Sequence, residues 1–257
     1  MRLLTQALRG AAACRVVLVA SDYDGTLAPI VADPDRAYPE ARAMTALASL
    51  AVLPDTHVAI LSGRQVSVLE ALSGRQFGVT LIGSHGAEPA GRSPNIEAQA
   101  RRDLAAVGRR LADLCDEFPG SRLEMKPAGV AFHFRNVDPE RQSAAQSEAR
   151  RIGLDSPVLV LIEGKKVVEF VGSAMDKGDA LVALRDRVQA DVVVFIGDDV
   201  TDENAFAVLR PVDVGLKVGP QATRARFRVD DQTQVAVILE TLLAFRTQRP
   251  EIPLTDH

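Results

Sequence analysis

Two short segments gather carboxylates more densely than ordinary turns do. Asp22-Tyr23-Asp24-Gly25-Thr26 sets two acids either side of a single residue, and Gly197-Asp198-Asp199-Val200-Thr201-Asp202-Glu203 packs four acids into the six residues after its glycine. Two carboxylates about 4 Å apart repel by roughly 4 kcal/mol at an effective dielectric of about 20, so such crowding calls for a cation. All-oxygen ligands with no Cys or His nearby select a hard ion, and Mg²⁺ suits a site that also holds phosphate. A helix N-terminus capped by Thr201 or an aspartate, with Glu203 in its first turn, accounts for one or two of these acids but not four. Gly25 lets the backbone turn sharply and present N–H groups to an anion, although a plain Asp-Gly turn competes as a reading of that pentapeptide. Ser62-Gly63-Arg64 adds a hydroxyl and a helix start suited to phosphate oxygens, and Asp176-Lys177-Gly178 adds an ammonium. Either alone reads as a turn or a solvated side chain; their order along the chain gives them weight.

These segments need a scaffold that brings them to one edge. Val16-Val17-Leu18-Val19-Ala20 and Val192-Val193-Val194-Phe195-Ile196 are continuous apolar runs, as expected of strands buried on both faces of a parallel sheet. His57–Leu61 and Thr80–Ile82 read as further strands. Helices are expected over about 39–53 (opened by Pro39), from about 66, and over 177–188, 201–208 and 232–245. Strand alternating with helix predicts an α/β fold with a doubly wound parallel sheet, whose ligands collect beyond the carboxyl ends of the strands. Asp22, Ser62 and Asp198 all follow such ends.

The middle of the chain reads differently. A polar helix (97–118), strands at 121–126 and 129–135, a helix (139–151) and strands at 157–162 and 165–171 form an α+β unit. Its strand pairs are joined by Pro127-Ala128-Gly129 and Glu163-Gly164, short links suited to hairpins. The expected division is a core of residues 1–89 plus 173–257 and an inserted α+β cap of residues 90–172. Strand alternation puts His133 and Arg135 on one face and Phe132 and Phe134 on the other, while Glu124 and Lys126 share a face, as do Lys165 and Glu169. For any one of these polar residues, a solvated sheet face is the competing reading.

The chain has 257 residues, 47% hydrophobic and 25% charged, with a formal net charge of −4. It carries no basic block, only 4% aromatics and no Trp, which argues against a nucleic-acid partner. Arg9 and Arg15 break up the apolar N-terminal stretch, so neither a signal peptide nor a membrane partner is expected. Cys14 and Cys115 read as small core hydrophobes in a reducing, cytoplasmic setting. The oligomeric state is not written in these patterns; they are compatible with a monomer.

Asp22-x-Asp24-Gly25-Thr26, Ser62, Lys177 and Gly197-Asp198-Asp199-x-x-Asp202 resemble the four ordered motifs of the haloacid dehalogenase superfamily. With Ser62-Gly63-Arg64, Gly83-Ser84-His85-Gly86-Ala87-Glu88, Asp176-Lys177-Gly178 and Glu203, the chain resembles the trehalose-6-phosphate phosphatase family along nearly its whole length. The resemblance implies a Mg²⁺-dependent phosphatase for a small-molecule sugar phosphate, most simply trehalose 6-phosphate. Asp22 would be the nucleophile and Asp24 the acid, then the base. Mg²⁺ would sit on the Asp22 and Asp198 side chains and the Asp24 carbonyl, supported by Asp199 and Asp202. Ser62, Lys177, Gly25, Thr26 and Gly63 would hold the phosphoryl group.

By the same resemblance Arg64, His85, Lys126, His133, Arg135, Glu163, Lys165 and Glu169 would bind sugar hydroxyls. One departure bears on the sugar: after Glu169 the chain runs Phe170-Val171-Gly172, where the family usually has a basic or apolar residue and a proline. The alternatives are a phosphatase for another sugar, glycosyl-glycerate or pseudo-disaccharide phosphate, a phosphomutase, and a non-catalytic sugar-phosphate sensor. A dehalogenase would have no use for Asp24 as an acid.

Overall fold

The computed structural model describes residues 2–74, 77–89, 96–172 and 175–248. In chain order the elements are α1 (Arg2–Ala13), β1 (Val17–Ser21), α2 (Ala41–Ala51), β2 (Thr56–Leu61), α3 (Val66–Ser73), β3 (Val79–Gly83), β4 (Glu88–Pro89), α4 (Ala98–Glu117), β5 (Arg122–Lys126), β6 (Gly129–His133), α5 (Gln142–Gly153), β7 (Val160–Gly164), β8 (Val167–Val171), α6 (Lys177–Val188), β9 (Val192–Gly197), α7 (Asp202–Ala207), β10 (Val214–Val218), β11 (Phe227–Val229) and α8 (Gln232–Thr247). They form two compact units, one of Met1–Ser62, Ser67–Leu81 and Lys177–His257, the other of Gly63–Val66 and Ile82–Asp176.

The first unit is a mixed α/β structure whose strands lie in the order β11-β10-β9-β1-β2-β3. β1 pairs in parallel with β2 and β9, and β10 with β9 and β11. Every residue of β1, β9 and β10 is buried, which explains their unbroken apolar sequences. The chain builds β2 and β3 on one side of β1 and later returns to build β9, β10 and β11 on the other. The order therefore reverses between β1 and β9, and the crevice at such a reversal is where open α/β sheets bind ligands.

Three elements of this unit were not foreseen. Residues 2–13 form an amphipathic helix, α1, that buries Leu4, Leu8, Ala11 and Ala12 and packs against α8. The strands β10 and β11 are short and interrupted by Gly215, Lys217 and Arg228, which hid them from a search for apolar runs. Arg246, in the last turn of α8, is buried and donates to the carbonyls of Ala12, Cys14, Arg15, Pro54 and Asp55 and to the Thr56 hydroxyl.

The second unit carries an antiparallel sheet in the order β5-β6-β8-β7. α4 and α5 cover one face, with Leu104, Leu111, Phe132, Phe134, Val168 and Phe170 in the core between. The register aligns Glu124, Ala131, Glu169 and Ile162 as a row on the other face. The link expected at Glu163-Gly164 lies elsewhere: both residues belong to β7, and the turn is Lys165-Lys166, with Lys166 at φ +69°. Lys165 is consequently a turn residue and shares no strand face with Glu169. In the same unit the end of β3 pairs antiparallel with β4.

Candidate active site

The site begins with register. Ser21 pairs with Ile196, and the Asp22 N–H donates to the Ile196 carbonyl at 2.8 Å, so the first residues past β1 and β9 emerge side by side. Beyond β1 the backbone folds into a tight loop. The Tyr23 carbonyl accepts from Leu27 and Ala28, the Gly25 N–H donates to Ala28, and the Gly25 carbonyl accepts from Gln232 Nε2. Gly25 sits at φ +85°, and a Cβ there would lie 2.1 Å from Asp198 Oδ2. Only glycine satisfies both the backbone angle and that approach.

Lys177, at the start of α6, is buried and joins the segments: its Nζ donates to Asp22 Oδ1 at 2.6 Å and to Asp202 Oδ1 at 2.7 Å. Asp202 Oδ2 accepts the backbone N–H groups of Asp198 (2.9 Å) and Asp199 (2.8 Å). Thr26 Oγ1 lies 3.4 Å from Asp22 Oδ2, and Ser62 is buried just past the end of β2. Burial pushes the Asp22 carboxyl up; Lys177 pulls it back, and Asp202 and Asp198 push it up again, leaving it well above the ordinary carboxylate range. Burial opposes the charged Lys177, but Asp202 and Asp22 outweigh it and hold the ammonium above its usual range. For Asp22 burial is the largest cause, and for Lys177 the two carboxylates together outweigh burial.

One oxygen from each of Asp22, Asp198 and Asp202 falls within 4.8 Å of the others, and all three residues are buried. The donors are hard oxygens, and at Gly25 a hydrogen stands where a side chain would crowd Asp198; this set fits a divalent cation of the oxygen-loving kind. Asp22 and Asp202 share Lys177, and Asp202 also accepts two amides, so Asp202 is the most heavily engaged of the three. Asp24 and Asp199 are half-buried and outside that grouping.

The second unit gathers its own polar cluster. Lys126 Nζ donates to Glu169 Oε2 at 2.7 Å and to the Gly63 carbonyl at 2.9 Å, and His85 Nε2 lies 3.4 Å from the same Glu169 oxygen. Although burial raises it, the Glu169 carboxyl is pulled down to about 2 by Lys126 and His85. His133 Nε2 meets Glu124 Oε2 at 2.9 Å; burial raises Glu124, but His133 and Lys126 bring it to about 2. Ser84 and His85 both adopt left-handed backbone, and Glu88 Oε2 accepts from the Ser84 hydroxyl and the Val66 N–H, which accounts for the Gly83–Glu88 motif.

Other expected site residues have contacts of their own. Glu163 is exposed on the helix-covered face, bonded to Gln146 and paired with Arg150 of α5. Arg135 lies past the end of β6 and donates to the Lys165 carbonyl. Arg64 is half-buried, and its carbonyl accepts from Ser84. Lys217 and Gln232 act on backbone carbonyls distant in sequence, which leaves no local spacing to read.

A doubly wound sheet with Asp22 and Asp198 at its reversal and a lysine bridging Asp22 to Asp202 is the arrangement of a phosphoric monoester hydrolase of the haloacid dehalogenase superfamily. The trehalose-phosphatase family profile matches residues 20–234. A trehalose-6-phosphate phosphatase of Escherichia coli is 32% identical over 91% of this chain and 90% of its own length. A bifunctional trehalose-6-phosphate synthase/phosphatase of Thermoproteus tenax is 35% identical over 88% of the chain, which spans 32% of that larger protein. Among solved structures, a trehalose-6-phosphate phosphatase C-terminal domain from C. albicans superposes with a TM-score of 0.80 at 24% identity, covering 95% of this chain and 96% of that one. The chain belongs to the trehalose-phosphatase family.

Proposed function

We propose that this chain hydrolyses trehalose 6-phosphate to trehalose and inorganic phosphate through an aspartyl-phosphate at Asp22. The observation that carries the reading is the buried Asp22–Lys177–Asp202 bridge, with Asp198 beside it, at the reversal of the sheet. A carboxylate of Asp22 attacks phosphorus while Lys177 offsets its charge. The bond from phosphorus to the sugar oxygen breaks, and Asp24 delivers a proton to that oxygen. Asp24 then removes a proton from the water that attacks the aspartyl-phosphate, which frees phosphate and restores Asp22. Ser62, Thr26, Gly25 and Gly63 hold phosphoryl oxygens, a step that needs positioning and charge neutralisation more than covalent help. Asp22, Asp198 and the Asp24 carbonyl, with Asp199 and Asp202 in support, would hold Mg²⁺, which would supply further neutralisation.

The inserted unit, taken as 90–172, serves as the specificity cap. Lys126, Glu169 and His133, with His85 and Arg64 and the flanking Arg135 and Lys165, are assigned to the sugar hydroxyls. Glu163, engaged by α5, is left out of that set. Action on a small molecule in the cytoplasm, without nucleic acid or membrane, completes the proposal. Among the described residues no helix is long and apolar enough to cross a membrane.

The test is phosphate release from trehalose 6-phosphate, glucose 6-phosphate, a glucosylglycerate phosphate and nitrophenyl phosphate, with and without EDTA. Trehalose 6-phosphate should exceed glucose 6-phosphate in kcat/KM by roughly 10²-fold or more, as expected where hydroxyl-binding groups are left unpaired by the wrong sugar. EDTA should abolish turnover and Mg²⁺ restore it. A preference for another sugar phosphate, transfer of phosphate within the substrate, or indifference to EDTA would each overturn the corresponding part of the reading.

A further inference from the structure

β10 carries a lysine, Lys217, in a strand otherwise built of Val, Gly and Leu, and its side chain is 2% exposed. A buried ammonium must find oxygen partners. Its Nζ donates to the Asp198 carbonyl at 2.5 Å and lies 3.4 Å from the Asp199 carbonyl, while the nearest carboxylate in contact, Glu203 Oε1, stands off at 3.8 Å. The charge is thus directed chiefly at two backbone carbonyls of the loop after β9. Glu203 in turn accepts from the Arg224 N–H through its other oxygen, at 2.8 Å, which anchors it independently of Lys217.

The same two residues, Asp198 and Asp199, give their N–H groups to Asp202 Oδ2. The loop is therefore gripped from both sides, by an anion at its amides and a cation at its carbonyls. Asp202 is tied through Lys177 to Asp22, so the grip is continuous with the nucleophile. Nothing in the proposed chemistry uses Lys217, yet its placement fixes the backbone from which the Asp198 carboxylate projects.

We infer that Lys217 is a positioning residue that sets the Asp198 carboxylate for the divalent cation, by holding the Asp198 and Asp199 carbonyls. The inference rests on the cation reading of the Asp22–Asp198 pair. Outer partners that orient a metal ligand change metal affinity by roughly 10–100-fold when removed. Lys217→Met keeps an unbranched stem of similar length and removes the ammonium.

The experiment titrates the purified protein with Mn²⁺, followed by electron paramagnetic resonance, and with Mg²⁺, followed by calorimetry, so the readout is independent of turnover. Wild type should bind one ion, and Lys217→Met should bind it roughly 10–100-fold more weakly with an unchanged circular dichroism spectrum. The rise in Tm on adding Mg²⁺ should shrink in parallel. If Lys217→Met does not fold, Lys217→Gln, which retains an N–H donor without the charge, takes its place in the same titration. A metal Kd within twofold of wild type, with only Tm lowered, would make Lys217 a structural residue and overturn the inference. Failure of wild type itself to bind either ion would instead sink the cation reading beneath it.

Discussion

Asp22 and Asp24 are two residues apart, yet their surroundings differ. Asp22 is 4% exposed and bonded to Lys177, whereas Asp24 is half-buried on the loop that Gly25 turns. The proposed roles divide along the same line, with Asp22 beside the ammonium that offsets a nucleophile's charge and Asp24 assigned the proton transfers. Asp24→Asn should therefore lower turnover of a sugar phosphate by roughly 10²–10⁴-fold, the usual contribution of a general acid. Its effect on the burst of nitrophenolate from nitrophenyl phosphate should be far smaller, because that leaving group departs without a proton. Pre-steady-state comparison of the two esters checks this; equal losses would remove Asp24 from the acid role. At this scale the sequence was informative where chemistry is compressed into a few neighbouring residues, as in Asp22–Thr26 and Asp198–Glu203. It was silent on Lys217 and Gln232, which reach those loops from 18 or more residues away and act on carbonyls that every residue possesses.

At the scale of elements, the hairpin of β7 and β8 shows how a local rule misleads. Gly164 reads as a turn residue, but its glycine serves close packing: a Cβ there would meet Val167 Cγ1 at 2.8 Å. The turn falls instead on Lys165-Lys166, and the resulting register sets Glu169 opposite Ala131 and Ile162, within reach of Lys126. Burial alone would lift the Glu169 carboxyl, so Lys126 and His85 must more than offset it to bring it to about 2. A carboxyl depressed on folding adds stability that is complete above its unfolded pKa of about 4.3 and is lost as pH falls toward the folded value. For Glu169 that contribution is on the order of 3 kcal/mol. Glu169→Gln should be destabilised at pH 7, where Lys126 loses its anion, and the gap to wild type should narrow by pH 3 in urea unfolding. An unchanged gap across that range would mean that the pair contributes nothing through its charge. Glu124, also held near 2, should keep part of the acid sensitivity in the variant.

Across the chain, the alternation of buried strands and helices was legible because parallel strands covered on both faces must be apolar throughout, as β1 and β9 are. The α+β insertion was legible from its change of rhythm. Long-range closure was not, and Arg246 is the clearest instance: its guanidinium joins the end of α1 and the entry to β2 to α8 by donating to backbone carbonyls and the Thr56 hydroxyl. An arginine at the end of a helix ordinarily reads as a complement to the helix dipole. Arg246→Met strands several buried carbonyls at once and should cost on the order of 3 kcal/mol in urea unfolding; a loss under about 0.5 kcal/mol would make the clasp incidental.

The doubly gripped loop after β9 has a consequence of a different kind. Its Asp198 and Asp199 amides are bonded to a carboxylate with no solvent exposure, so opening them means separating Asp202 from its partners. In deuterated water these two protons should survive alongside those of the central strands, which makes a stretch without regular secondary structure one of the slowest-exchanging parts of its unit.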